Sequence, residues 1–97
     1  RPATPVGTSV ATPGRVRDQL YFWTAYTNYQ QGVAIDGSNE VNEACQPARR
    51  ALAKFQQVLP NLDRAGAEQP QSQAQIREST DVYIYRQEQI IRKNCGG

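Results

Sequence analysis

The middle of the chain carries a helical apolar period, which constrains the fold more than any other feature. Successive apolar residues lie 4, 3, 4, 3 and 4 positions apart, at Val41, Cys45, Ala48, Leu52, Phe55 and Leu59. This spacing places the side chains on one face of an α-helix. Pro47 lies inside the stripe, and proline is tolerated only in the first turn of a helix. The helix is therefore predicted to begin near Glu43, or near Asn39 with a kink at Pro47, and to end at Pro60.

A first helix is predicted from about Pro13 to Val33. Thr12 is suited to cap it, and Pro13 suits the first helical position. The apolar face is predicted from the spacing of Phe22, Tyr26, Tyr29 and Val33, with Val16, Leu20 and Trp23 on the same half of the helix. Gly32 and the turn-forming residues "DGSN" at 36–39 predict where it ends.

A third helix is predicted from Ser72 to about Lys93, after a connector over residues 60–71. Ser72 and Gln75 have the spacing of a capping box, in which each side chain bonds to the other residue's backbone N–H. The core face is predicted to contain Ile76, Tyr83, Ile84, Ile90 and Ile91. Val82 and Tyr85 are predicted to point away from that face.

Three helices, the second and third joined by the connector over residues 60–71, predict an all-α fold, a small antiparallel three-helix bundle. Residues 15–97 are expected to form this helical domain. Residues 1–14, "RPATPVGTSVATPG", have no helical or strand period and contain three prolines and two glycines. They are predicted to be a flexible or extended N-terminal arm. The chain opens with Arg1 rather than Met, so we expect processing from a longer precursor. The alternative to a simple tail is that the arm is a spacer between a membrane anchor, since removed, and the domain.

The two cysteines are predicted to form one disulfide. Antiparallel packing of the second and third helices brings Cys45 and Cys95 to the same end of the bundle. The alternative is two separate buried thiols. The bond would contribute about 3–4 kcal/mol in the chain-entropy model. It would also place the protein in an oxidising compartment, periplasmic or extracellular.

Composition excludes several classes of function. The net charge of +2 offers no basic face for nucleic acid. The chain has no run of about 18 apolar residues, as a membrane-spanning helix requires. It has no histidine, and two cysteines alone cannot supply the four ligands of a structural zinc site. We therefore expect no catalytic residues, no metal and no cofactor, and predict that the protein is not an enzyme.

An aromatic cluster is the strongest candidate for a functional surface. Five aromatic residues fall between positions 21 and 29, more than one face of a helix can bury. Aromatic side chains are frequent at protein–protein contacts. The predicted contacts with a protein partner are Tyr21, Trp23, Tyr26, Tyr83 and Tyr85. The alternative is core packing, with the tyrosine hydroxyl groups reaching water.

The segment "ALAKFQQVL" at 51–59 resembles the second helix of a tetratricopeptide repeat. Ala51, Phe55 and Val58 have that family's spacing, and Tyr21, Ala25 and Gly32 fit parts of its first helix. The connection between the two helices is longer than in the family, and Pro60 comes early. We assign the chain to no family on this basis.

The features together predict a non-enzymatic interaction module of an exported protein. Such a module would bind a segment of another protein through an aromatic helix face, as an assembly factor of an envelope or secretion system does. The alternative is an inhibitor or immunity-type protein against a secreted enzyme. A groove with an exposed apolar strip would favour the first hypothesis, and a protruding rigid loop over residues 60–71 would favour the second. A closed pocket lined by arginines would instead indicate a small enzyme.

Overall fold

The computed structural model describes residues 13–67 and 69–96, with side chains from residue 16 onward. These residues form four α-helices and no β-strand. The helices are α1 (Pro13–Ser38), α2 (Cys45–Gln56), α3 (Val58–Arg64) and α4 (Pro70–Asn94). α2 and α3 follow each other almost without a break and form one arm. The predicted all-α bundle is confirmed. Residues 1–12 of the predicted arm lie outside the described residues, and residues 13 and 14 belong to α1.

The three arms run antiparallel in chain order. α1 turns into α2 at residues 39–44, and at its other end the Arg64 guanidinium lies 5.8 Å from the centre of the Tyr21 ring. α4 then returns alongside α2. The predicted disulfide between Cys45 and Cys95 is confirmed, with the two Cα atoms 5.0 Å apart. It joins the start of α2 to the end of α4.

α1 is longer than predicted and ends at Ser38 rather than near Val33. The Asp-Gly pair does not break the helix, because the Asp36 carboxylate is held by α4. One of its oxygens accepts hydrogen bonds from Arg86 Nε at 2.8 Å and from Gln87 Nε2 at 2.7 Å. These two hydrogen bonds stabilise the helical conformation at Asp36 by more than the Asp-Gly pair's preference for a turn destabilises it.

The turn after α1 is closed by the side chain of Asn39, which is 3% exposed. Its Nδ2 donates to the carbonyl of Ala44 at 3.0 Å, and its Oδ1 accepts from the Ala44 N–H at 2.8 Å. Val41, predicted to lie on the core face of the second helix, is instead 93% exposed in this turn. The prediction was wrong there because the apolar spacing extends to Val41, on the N-terminal side of the residue where the helix begins.

α2 begins at Cys45, so the late start is confirmed and Pro47 occupies the first turn. Pro60 does not end the middle arm as predicted. A new helix, α3, begins at Val58, and Pro60 falls in its first turn, where its missing N–H costs nothing. The inner face of the α2–α3 arm is built from Ala48, Ala51, Phe55, Val58, Leu62 and Ala65, each at most 1% exposed.

α4 begins at Pro70, two residues before the predicted start, so Ser72 is not its cap. The side chain of Gln73 closes the turn instead. Its Oε1 accepts from the Gln69 N–H at 3.1 Å, and its Nε2 donates to the Gly66 carbonyl at 2.8 Å. Further along α4, Val82 and Tyr85 are each 64% exposed, which confirms that they point away from the core.

Phe55 packs against Gly32 in the middle of the bundle. A Cβ atom on Gly32 would lie 2.7 to 2.9 Å from three atoms of the Phe55 ring. The ring is stacked on Tyr83 with centroids 4.8 Å apart, and Tyr29 meets both rings edge-on at 6.1 Å. We call Tyr29, Phe55 and Tyr83 the central aromatic layer. It joins α1, α2 and α4 at one level.

We predict that Gly32→Ala destabilises the protein by up to about 2 kcal/mol, because overpacking a core costs about 1–3 kcal/mol. Alanine's higher helix propensity offsets only part of that cost, since it favours Ala over Gly by about 1 kcal/mol. Gly37→Ala is the matched control on the same helix, because a Cβ there meets no atom within 4 Å. Urea unfolding should show the control unchanged or more stable. Equal effects at both glycines would contradict the close contact.

We also predict that the Cys45→Ser, Cys95→Ser double variant loses about 4 kcal/mol of unfolding free energy. The bond spans a sequence separation of 50 residues, and the chain-entropy model gives about that value for such a loop. Denaturant unfolding of the variant, and of the reduced wild-type protein, should agree. A loss below about 1 kcal/mol in both would show that the bond does not constrain the unfolded chain.

Candidate functional site

α1 carries a second stripe of residues on the side opposite the core. Its members are spaced 4, 3, 4, 3 and 4 positions apart and are all exposed: Val16, Leu20, Trp23, Thr27, Gln30 and Ala34. Val16 is 44% exposed, Leu20 63% and Trp23 52%. We call these six residues the α1 outer strip. Large apolar side chains exposed side by side on a small domain are typical of a contact surface.

Apart from Val16, the α1 outer strip lies in a helix region without charge. Between Asp18 and Asp36 the sequence has no Lys, Arg, Asp or Glu. The outer surfaces of the other helices differ, since α2 exposes Arg49 and Arg50 and α4 exposes Glu78, Asp81 and Glu88. Interface centres are depleted in charged residues relative to the rest of a protein surface. Lack of charge and exposed apolar groups therefore coincide on one helix face.

Trp23 is fixed in place although half of it is exposed. Its ring meets the ring of Phe22 edge-on at 5.1 Å and that of Tyr26 edge-on at 5.7 Å. Phe22 is itself 3% exposed and belongs to the core. A partner therefore meets an indole that is already ordered, which reduces the entropy cost of binding.

A shallow groove of about 440 Å³ runs beside the strip, where α1 meets the α2–α3 arm. Leu20, Trp23 and Thr27 line it, with Thr24, Asn28 and Gln57. The Thr24 hydroxyl donates to the Leu20 carbonyl at 2.8 Å, and Asn28 Nδ2 donates to the Thr24 carbonyl at 3.0 Å. Because these donors are bonded within the helix, an apolar partner can cover them without leaving them unsatisfied.

Sequence reasoning put Val16, Leu20 and Trp23 on the core half of α1, which is wrong. The core face instead follows small residues: Ala25 is 0% exposed, and Gly32 is buried. These small residues let the α2–α3 arm approach closely and so determine which side of α1 faces inward. The outer strip could have been noticed from its own regular spacing and from the missing charges.

The predicted contact residues lie in several different structural environments. Tyr26 is half-buried, next to Trp23 and parallel to Phe22 at 6.4 Å. Tyr83 lies in the central aromatic layer. Tyr21 is half-buried and packs against the core, with Arg64 over its ring. Tyr85 is exposed on α4, on a different side of the bundle from the α1 outer strip.

A second concavity, of about 650 Å³, lies between the end of α1 and α4. It is lined by Val33, Asp36, Gly37, Glu40, Glu43, Val82, Tyr83 and Arg86. Asp36 and Arg86 pair with each other inside it, and this hydrogen bond raises the pKa of the Arg86 guanidinium. Glu43 lies 3.7 Å from Lys93 Nζ. Two of the three carboxylates that line this concavity, those of Asp36 and Glu43, thus already have a basic partner.

Scans against models of protein families, curated proteins and solved structures each give no match to this chain. Among the helices described, none is both long and apolar enough to cross a bilayer. The same residues contain no group of three or more His, Cys, Asp or Glu side chains placed to hold a metal ion. The disulfide is consistent with an oxidising environment.

Burial raises the pKa of the Tyr83 hydroxyl above its ordinary value of 10.0, and nearby Tyr29 and Asp36 add to the rise. The folded state therefore favours the neutral phenol. The stability from this group is fully present below the unfolded pKa and is lost as the pH rises through the higher folded value. We predict that the unfolding free energy of Tyr83→Phe falls less steeply above about pH 10 than that of the wild type. Parallel curves in alkaline urea titrations would contradict this.

Proposed function

We propose that the chain is a non-enzymatic protein-interaction module of an exported protein, and that its contact surface is the α1 outer strip. The strip accommodates a helix of another protein chain, with Trp23 and neighbouring Tyr26 as the aromatic part of the contact. An assembly factor of a cell envelope or secretion system would work in this way. The observation that carries the proposal is the coincidence of exposed Leu20 and Trp23 with a charge-free helix face.

The shape and chemistry of the strip support a helix as the bound element. Its 4-and-3 spacing is the spacing by which helices pack against each other side by side. The ordered Trp23 ring has the properties of an interface hot spot, since it is aromatic, pre-positioned and flanked by apolar neighbours. The disulfide supports an oxidising compartment, because such bonds persist mainly in exported proteins.

The inhibitor alternative would gain support from a protruding loop over residues 60–71. Seven of the twelve residues of that segment instead belong to helices, α3 up to Arg64 and α4 from Pro70. Leu62 and Ala65 are buried against the rest of the bundle. No observation on the described residues therefore favours the inhibitor over the interaction module.

The test is capture of the native binding chain by the tagged domain from envelope and culture-fluid extracts of the source cells. Leu20→Lys with Thr27→Lys places two charges on the strip. The matched control, Val82→Lys with Tyr85→Lys, places two charges on the exposed face of α4. We expect the strip variant to bind at least tenfold more weakly, about 1.4 kcal/mol, because the charges must be desolvated in the contact.

The control should bind like the wild type, and circular dichroism should show both variants folded. Mass spectrometry identifies the bound chain, including untagged native copies of this one. Loss of capture in the α4 variant with full capture by the strip variant would overturn the proposal. Equal capture by all three proteins would overturn it as well.

A further inference from the structure

We propose that the helix bound by the α1 outer strip is α1 of a second copy of this chain, so that the protein is a two-fold symmetric homodimer. The inference rests on the proposed function, since it names the occupant of the same surface. It follows from three properties of the strip: its lack of charge, the symmetry of its spacing and the match of its side-chain sizes.

Charge favours self-association on this face over the others. A two-fold dimer places one surface patch against itself, so every charge near the axis meets a like charge. α2 would bring Arg49 and Arg50 against their own copies, and α2 contains no acidic residue to balance them. α4 would do the same with Glu78 and Asp81. Apart from Val16, the α1 outer strip lies inside the charge-free residues 19–35 and carries no such penalty.

The spacing of the strip is the same in both directions along the helix. Its positions 16, 20, 23, 27, 30 and 34 are placed symmetrically about residue 25. An antiparallel α1–α1 pair centred there brings every strip residue opposite another strip residue of the second copy. The strip spans 18 residue steps, about 27 Å at 1.5 Å per residue. The two helices can therefore remain in contact over that whole length.

Side-chain sizes fit the antiparallel arrangement. Trp23 faces Thr27 of the second copy, Val16 faces Ala34 and Leu20 faces Gln30. A larger side chain meets a smaller one in the first two of these three pairs. A parallel arrangement would place Trp23 against Trp23 and Ala34 against Ala34, which alternates crowding with gaps. Alternation of large and small residues across a contact gives denser packing. The antiparallel dimer is therefore the arrangement that the strip fits.

The contact is one helix wide, whereas stable protein interfaces bury about 1,200–2,000 Å². We accordingly expect a weak dimer, with a dissociation constant in the micromolar range. The experiment is sedimentation velocity of the purified, oxidised domain over a hundredfold range of concentration. The wild type should shift from monomer to dimer mass across this range. A monomer at every concentration would overturn the second copy as occupant, while capture from extracts would still decide the proposed function.

Three variants test the surface and the direction of the helices. Leu20→Lys and Gln30→Glu, each made alone, should weaken the dimer at least tenfold, and Val82→Lys should leave it unchanged. Positions 20 and 30 face each other only in the antiparallel pair. The protein with both strip substitutions should therefore regain dimerisation, because each Lys meets a Glu of the second copy. Failure of this rescue would overturn the antiparallel arrangement, and a dimer weakened only by Val82→Lys would overturn the proposed surface.

Discussion

The contact between Phe55 and Gly32 is the constraint on which the rest of the bundle depends. No side chain other than hydrogen fits at position 32 without displacing the Phe55 ring. The α1 and α2 backbones can therefore approach closely at this level. Tyr83 stacks on the Phe55 ring and Tyr29 meets it edge-on, and Tyr83 adds α4 to the same layer. One glycine and three rings thus determine the register of three helices.

The same contact explains why α1 presents an apolar outer strip. Once Ala25 and Gly32 face the α2–α3 arm, the opposite side of the helix must carry Leu20, Trp23 and Thr27. These residues are not surplus core, since the buried cluster around Phe22 is complete without them. The outward direction of Trp23 is therefore a result of close packing at small residues on the other side of α1. The proposed binding surface and the core-facing surface lie on opposite sides of α1, and the same packing contact determines both.

Several elements of the fold were predictable from the sequence alone. The cysteines were placed correctly because an antiparallel hairpin leaves only one end where residues 45 and 95 can meet. The exposed positions of Val82 and Tyr85 followed from the helical period of α4. Pattern and topology sufficed in these cases because they required only the chain topology and the helical period.

The errors have physical causes that the spacing of apolar residues does not reveal. α1 has two apolar faces, so its spacing alone does not say which one is buried. The extension of α1 to Ser38 depends on hydrogen bonds from α4 to Asp36, a contact some 50 positions away in the sequence. The true start of α4 depends on Gln73, whose side chain bonds to the turn before it. Long-range partners and buried amides decide these boundaries.

The disulfide has a further consequence, because the covalent ring that it closes contains only part of the bundle. Cys45 and Cys95 enclose α2, α3 and α4, whereas α1 lies outside the ring and is attached through residues 39–44. Oxidation therefore limits how far α2 and α4 can separate, but it places no such limit on α1. The helix that carries the outer strip is held only by non-covalent contacts, namely its packing and the hydrogen bonds of Asp36 to Arg86 and Gln87. It can therefore open locally while the disulfide keeps the ends of α2 and α4 together.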